Sequence, residues 1–194
     1  MNIRRRSLAG LAAGAVLILG ACGDDSAEQD GPARAGNPVD RAFVAEMVPH
    51  HESGVQMAQI AQRRGKSAFV KQLARDIVRS QNAEIAAMRA ADERLRKSGV
   101  TRGSLGVPEH MMGMDAGVTS LRTARSFDRT FISLMIPHHE GALVMARAEL
   151  AKGEDRELKT LAQDILAAQE REIRRMREHL GTTEEHGDGD MHAP

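Results

Sequence analysis

Apolar residues recur at helical spacing in four long stretches of this chain. The pattern is clearest in the second stretch, where one helical face contains Val70, Leu73, Ile77, Ile85 and Met88. It predicts helices at about 37–64, 67–97, 126–152 and 155–180, which stop at Gly65, Gly99, Gly153 and Gly181. Asn37 or Asp40 can cap the first helix. Because short glycine turns join the helices of each pair, the expected fold is all-α, a four-helix bundle of two antiparallel hairpins.

The two hairpins are predicted to be copies of one unit. With an offset of 88 residues (131 − 43 = 88), segments 43–91 and 131–179 align without a gap and agree at 19 of 49 positions. This indicates an internal repeat with units at about 43–98 and 131–180. Both copies retain the element Met-x-Pro-His-His-Glu, which starts at Met47 and at Met135. Since the other 30 positions have diverged, function is expected at this element.

Each copy of the element places two adjacent histidines after a proline inside a helical pattern. An internal proline costs about 3 kcal/mol, a penalty tolerated more often for a site than for packing alone. The alternative is that Pro49 begins a new helix. Neighbouring helical residues point about 100° apart, so one histidine of each pair can face the core while the other reaches a neighbouring helix. The duplicated pairs predict a metal site, with hydrogen-bonded core histidines as the alternative.

Imidazole and thioether side chains form a soft to borderline donor set. This set suits copper, above all Cu(I), whereas calcium and magnesium prefer oxygen and structural zinc usually takes cysteine. The predicted helical ligands are Met47, His50, His51, Met135, His138 and His139. The connecting segment 99–120 adds His110, Met111, Met112 and Met114, and the tail adds His186, Met191 and His192. Copper, as Cu(I), Cu(II) or both, is therefore the predicted cofactor.

Acidic and amide side chains near the histidines are predicted to orient the imidazoles and to fix which ring nitrogen carries the proton. These residues are Glu52, Gln81, Glu84, Glu140, Gln169 and Glu172. The alternative is a solvated flank of each helix. Four methionines at helical positions could instead simply fill the core, because methionine packs irregular gaps well. These are Met57, Met88, Met145 and Met176.

The first 22 residues resemble a bacterial lipoprotein signal. Arg4-Arg5-Arg6 precedes an apolar stretch at 8–19, and Leu19-Gly20-Ala21 leads into Cys22. The likeness implies removal of residues 1–21 and acylation of Cys22, which would anchor an exported protein to a bacterial membrane, facing the periplasm or the extracellular side. An ordinary cleaved signal with an incidental cysteine is the alternative.

Composition divides the rest of the chain and limits its partners. A flexible tether is predicted at 22–38, a helical domain at 39–180 and a disordered tail at 181–194. Without residues 1–21 the chain carries 24 basic residues (27 − 3) against 27 acidic ones, with no basic run, so nucleic acid is not an expected partner. It lacks Trp and Tyr but has ten Met (11 − 1) and eight His, which favours a metal ion.

Over about residues 40–180 the chain resembles the bacterial family catalogued as domain of unknown function 305. The likeness lies in the repeated Pro-His-His-Glu, each followed five residues later by Met-Ala. It implies a ferritin-like four-helix bundle in an exported protein, and some members are associated with copper binding and copper tolerance. The functional positions implied by the motif are Met47, His50, His51 and Met57 in one copy, and Met135, His138, His139 and Met145 in the other.

A ferritin-like bundle raises the question of a di-iron oxidase, but the sequence contains no Glu-x-x-His. Signatures of zinc proteases, serine hydrolases and phosphate-binding loops are also missing. We therefore expect a membrane-anchored copper-binding protein for sequestration, tolerance or transfer, and not an enzyme. The alternatives are a helical interaction module with structural histidines and a protein partner or, less favoured, a metal-dependent redox enzyme.

Overall fold

A computed structural model describes residues 36–113 and 117–185. The helices are α1 Pro38–Arg64, α2 Ala68–Lys97, α3 Val118–Thr123, α4 Phe127–Lys152 and α5 Arg156–Glu185. A single 3₁₀ turn, Glu109–Met111, lies between α2 and α3, and the described ranges contain no strand. The predicted all-α fold is therefore confirmed: α1 with α2 and α4 with α5 form two hairpins of one helical bundle.

The helices begin where the sequence offers caps. Asn37 accepts hydrogen bonds from the backbone N–H groups of Val39 and Asp40, and the Asp40 carboxylate accepts one from the backbone N–H of Asn37. Ser67 caps α2 in the same way, through the N–H of Val70. Both internal prolines lie inside continuous helices, Pro49 in α1 and Pro137 in α4, so neither begins a new helix.

Two apolar clusters form the core, and each draws on both hairpins. The first contains Met47 from α1 and Met145 from α4, and the second contains Met57 and Met135 from the same two helices. Because Met47 corresponds to Met135 and Met57 to Met145 in the repeat, the clusters are related by an approximate two-fold. On α1 and α4 the histidine pairs lie between these methionines, at the level where the two clusters meet.

The two hairpins hold each other through a pair of aspartates that the sequence analysis did not identify. Asp40 accepts hydrogen bonds from the N–H groups of Glu154 (3.0 Å) and Asp155 (2.9 Å), in the turn of the second hairpin. Asp128, 88 residues later, accepts the equivalent bonds from Lys66 (2.9 Å) and Ser67 (2.7 Å) in the turn of the first. Each hairpin therefore binds the turn of the other through one carboxylate.

Two expectations about the helices were wrong. The last helix was predicted to stop at Gly181, yet α5 continues to Glu185. A glycine inside a helix costs only about 1 kcal/mol, and Gly181 lacks the positive φ of a glycine that ends a helix in the left-handed conformation. The connecting segment was predicted to lack helix, yet it contains the 3₁₀ turn and the first residues of α3.

Several predictions concern residues outside the described ranges. These are the signal, the acylated Cys22, most of the tether, Met114, and the tail from residue 186. Within the described ranges, no helix has the length and apolar character that crossing a membrane requires.

Candidate metal centre

The two Pro-His-His-Glu elements meet at one place, between α1 and α4. The rings of His50 and His138 stack with their centroids 3.8 Å apart and their planes 26° from parallel. His138 also donates a hydrogen bond from Nε2 to the backbone carbonyl of His50, at 3.1 Å. Residues 88 positions apart thus form a single centre on the approximate two-fold axis of the repeat.

The second histidine of each pair reaches the other helix of its own hairpin. His51 Nε2 lies 2.7 Å from Glu84 Oε2, and His139 Nε2 lies 2.6 Å from Glu172 Oε2. A carboxylate only accepts hydrogen bonds, so Nε2 carries a proton, and in the neutral form of the ring Nδ1 keeps its lone pair. Histidines that bind metals are commonly fixed in this way by a carboxylate on the other nitrogen.

All four imidazoles are buried, with at most 1% of each residue exposed. Desolvation, helped by the nearby His51 and His139, lowers the pKa of His50 from 6.5 to about 3. Desolvation and the neighbouring imidazoles also hold the pKa of His138 well below 6.5. Both rings are therefore neutral at pH 7, the form that binds a metal ion.

Around the stacked rings, buried polar atoms lack hydrogen-bond partners. In the described residues this holds for Nδ1 of all four histidines and for the side-chain amides of Gln81 and Gln169. Nε2 of His50 also lacks a hydrogen-bond partner, although backbone groups of His138 and Met112 lie close to the His50 ring. Buried polar groups without partners are rare in native proteins. Their concentration here fits a site that an ion completes.

Glycine lets the polar groups approach each other at this centre. A Cβ atom on Gly54 would lie 2.5 Å from Gln81 Oε1 and 3.0 Å from His138 Cε1. The amide of Gln81 and the ring of His138 therefore converge on the same point of α1. Gln81 lies beside the imidazoles, the region in which a supporting role was predicted for it.

The predicted methionine ligands differ in position. Met47, Met57, Met135 and Met145 are fully buried in the two core clusters. In the connecting segment, Met112 is buried beside the centre, whereas His110 and Met111 are exposed. The structure thus brings one described residue of this segment to the histidines and leaves the other two at the surface.

Glu52 and Glu140 lie elsewhere than predicted. Glu52 forms an ion pair with Arg89, and Glu140 forms the equivalent pair with Arg177. Their side chains are 45% and 47% exposed. Each follows an inward-facing histidine by one residue, and this step turns its side chain by about 100° towards solvent. The carboxylates that contact the imidazoles belong to α2 and α5.

The donors that converge at the centre are mixed in type. In the described ranges, no three side chains among His, Cys, Asp and Glu are arranged so that they could hold a metal ion. A metal ion held by these imidazoles would need other donors as well, and the amide of Gln81 converges with His138 on Gly54 while the backbone of Met112 lies beside His50. Nitrogen and sulfur together form a soft to borderline donor set.

Solved structures similar to this chain include copper-bound ones. CopM in the Cu(II)-bound form is 35% identical with a TM-score of 0.64, covering 74% of this chain and 96% of that one. CopM in the Cu(I)-bound form has 31% identity, a TM-score of 0.61 and the same coverage. A DUF305 fragment from Deinococcus radiodurans has 34% identity and a TM-score of 0.63, covering 76% of this chain and 98% of the fragment.

A DUF305 protein from Streptomyces coelicolor, described as secreted, is 28% identical with a TM-score of 0.62, covering 74% of this chain and 93% of its own. No curated protein matches the chain. The family described as Domain of unknown function (DUF305) matches twice, at residues 25–92 and 93–180. These two matches take in both repeat units and most of the sequence, and the chain therefore belongs to the DUF305 family.

Proposed function

We propose that this protein is an exported copper-binding protein that sequesters the ion or hands it over. The observation that carries the proposal is the group of four buried imidazoles whose Nδ1 atoms have no partner. A buried polar atom without a partner is unfavourable, and an ion bound to these nitrogens would remove that penalty. The likeness to CopM, which has been solved with Cu(I) and with Cu(II), supports copper as the ion.

The residues at the centre would have distinct roles. His50 and His138 would provide nitrogen donors at the two-fold axis. Glu84 and Glu172 would hold Nε2 of His51 and His139, which leaves Nδ1 of each ring for the metal. The thioethers of Met47 and Met135 would favour Cu(I) over Cu(II). Neutral imidazoles bind without first losing a proton, so uptake at His50 would not compete with protonation near pH 6.

Binding without catalysis agrees best with the burial of the centre. Turnover of a dissolved substrate needs an open coordination position, whereas all four imidazoles are buried inside the bundle. Storage or transfer needs only a route for the ion. Under this proposal, copper is the cargo of the protein and undergoes no change of oxidation state there.

We further propose that the protein is held at a membrane through acylated Cys22. The DUF305 protein from Streptomyces coelicolor is described as secreted, which supports export, and the residues before Cys22 resemble a lipoprotein signal. Cys22→Ala is expected to leave export intact and to release the protein from the membrane fraction. A variant that partitions with membranes as the parent does would show that Cys22 is incidental.

Competition for Cu(I) tests the proposed function most simply. The purified protein without its signal is titrated anaerobically against a coloured Cu(I) chelator, and the complex is weighed intact by mass spectrometry. We expect a tight complex with Cu(I) that survives the chelator, and weaker binding of Zn(II). Failure to take copper from the chelator, or a preference for Zn(II), would contradict the proposal. In that case the histidines would more simply join helices of an interaction module.

A further inference from the structure

A metal ion can reach a buried site only by a path from the surface. One segment of the chain, residues 103–113, covers the interface between α1 and α4 where the histidines lie. The backbone N–H of Gly103 donates to the carbonyl of Pro38 at 2.9 Å, and Lys152 Nζ donates to the carbonyl of Leu105 at 3.2 Å. Farther along, Gly113 packs against Pro137 and His138. Residues 103–113 therefore run along the line where α1 and α4 meet.

At the centre this segment places Met112 against α4. A Cβ atom on Gly141 would lie 2.1 Å from the carbonyl oxygen of Met112, so only glycine permits the contact. The equivalent position in the first repeat is Ser53 (141 − 88 = 53). Met112 is 8% exposed and belongs to the same apolar cluster as Met47 and Met145. It thus connects the segment to the predicted thioether ligands.

A cavity lies on the outer side of Met112. It has a volume of about 340 Å³, and its walls include Glu46 of α1, Glu109 and residues 103–107. Next to it in sequence, Met111 is 45% exposed, the single large hydrophobic side chain that is exposed in the described part of the chain. Two carboxylates therefore line a cavity whose wall includes the buried Met112, and the thioether one residue before Met112 is exposed at the surface.

The carboxylate of Glu46 at this cavity has no equivalent in the second repeat. The residue that corresponds to Glu46 there is Leu134 (46 + 88 = 134). Although the histidine centre follows the two-fold, this carboxylate does not. Glu46 is partly engaged by Arg102, at 3.2 Å, and remains 38% exposed.

We propose that this cavity is the entry and exit site for copper, with Met111 capturing Cu(I) and Met112 passing it to His50. The inference rests on the proposed function. The step is a ligand exchange, in which a thioether–copper bond breaks as an imidazole–copper bond forms. The ion remains Cu(I), and the incoming imidazole nitrogen takes the coordination position that the thioether leaves. Glu46 and Glu109 attract the cation to the cavity through their negative charge.

Stopped-flow transfer of Cu(I) from a coloured chelator to the protein without its signal tests the route. Met112→Leu keeps the volume of the side chain and removes its sulfur, and Met111→Leu does the same at the surface. Each is expected to slow uptake by about tenfold while the final amount of bound copper stays at the parental value. The matched control is Met88→Leu, a fully buried methionine of the same cluster on α2, which is expected to load at the parental rate.

The outcomes distinguish a methionine that carries copper to the centre from one that is a ligand of the final site. Parental loading rates in both variants would overturn the route and leave the proposed function standing. Loss of bound copper at equilibrium in Met112→Leu would also overturn it, because Met112 would then be a ligand of the final site. If Met112→Leu fails to fold, the exposed Met111→Leu gives the decision alone. A parent protein that acquires no copper would end both proposals.

Discussion

Two buried polar regions of this bundle differ in whether their polar atoms have partners. At the end where α1 begins, the Asp40 carboxylate is fully buried and accepts hydrogen bonds from three backbone N–H groups, those of Asn37, Glu154 and Asp155. At the centre, the four imidazoles are equally buried but leave Nδ1 unpaired in every ring. The Asp40 carboxylate is satisfied within the protein, and the neighbouring Glu149, whose oxygens otherwise lack a partner, can donate to it when protonated. The imidazoles keep nitrogen atoms that no group of the protein satisfies.

This difference in hydrogen bonding distinguishes residues that stabilise the fold from residues that are available to bind a ligand. Arg94 pairs with Asp155 at 2.8 Å, and Asp155 in turn accepts from the N–H of Leu158 at the start of α5. Such a network stabilises the docking of one hairpin on the other. Three of the four imidazoles bond to Glu84, to Glu172 and to the carbonyl of His50, but the other ring nitrogens are buried without partners, which costs desolvation. Retention of both histidine pairs in a diverged repeat therefore favours a role in binding.

The largest expected effect is on stability at the Asp40 end. Asp40→Ala leaves three N–H groups without their acceptor, at ~1–3 kcal/mol for each buried group. The free energy of unfolding is expected to fall by about 4 kcal/mol, measured by urea denaturation. The control is Asp128→Ala at the other end, where the carboxylate is only partly buried. Its expected loss is about 1 kcal/mol, and equal losses would remove the distinction between the ends.

The next effect is a dependence of stability on pH that originates at the same end. Burial, and then the nearby Asp40, raises the pKa of Glu149 from 4.5 to about 9. The folded state holds this proton more tightly than the unfolded state, so the contribution is fully present below about pH 4.5 and is lost as the pH rises to about 9. The slope is up to ~1.4 kcal/mol per pH unit. Between about pH 7 and 8.5 the parent should therefore lose ~2 kcal/mol.

Glu149→Gln isolates this contribution. The amide cannot ionise and can still donate to Asp40, so the variant is expected to lose most of the slope above pH 7. Urea denaturation at a series of pH values measures it. A variant with the parental slope would assign the pH dependence to other groups. The first repeat has Ala61 at this position (149 − 88 = 61), so no equivalent pH dependence of stability is expected from the other end of the bundle.

At the centre, the carboxylates behind the imidazoles are expected to affect copper more than stability. Glu84→Gln weakens the acceptor on Nε2 of His51, and such changes cost about 10- to 100-fold in metal affinity. Competition with a Cu(I) chelator measures the loss. Glu52→Gln is the control, because Glu52 pairs with Arg89 at the surface and is expected to leave affinity unchanged. Equal effects of the two substitutions would contradict the assignment of Glu84.

The smallest expected effect is the most informative about the role of the stacked pair. Replacing His50 and His138 together by Leu removes three buried nitrogen atoms that have no partner and one, Nε2 of His138, that donates to the carbonyl of His50. The copper-free protein should change its free energy of unfolding by less than about 1 kcal/mol, or become more stable. A loss of ~3 kcal/mol or more would show that these histidines hold the helices together, as in an interaction module.

The sequence predicted the fold well because the repeat and the helical periodicity agree with each other. Glycines at 65 and 153 marked the hairpin turns, and both ends of α1 lie where its capping residues predict. The predicted end of the last helix at Gly181 was wrong because a glycine permits a helix to stop but does not require it. The reciprocal aspartates could have been found, since Asp40 and Asp128 lie just before the aligned segment, also 88 residues apart (128 − 40 = 88).

The arrangement of the candidate centre depends on tertiary contacts that no local pattern shows. The stacking of His50 on His138 requires α1 and α4 to pack antiparallel at one register. The placement of Glu84, and not Glu52, beside an imidazole follows from the packing of α2. Burial of Met112 depends on the close contact with Gly141, whose counterpart in the other repeat is Ser53. Spacing identified the donor residues, but only packing determines which of them meet.

Copper binding by a variant that lacks all four central imidazoles tests the central claim most directly. The variant carries Ala at positions 50, 51, 138 and 139, and circular dichroism establishes that it remains helical. Anaerobic Cu(I) titration with intact-complex mass spectrometry should then show no tight copper in the variant and a tight complex in the parent. A helical variant with parental affinity and stoichiometry would contradict the account and move the site to the methionines of the connecting segment or to the tail.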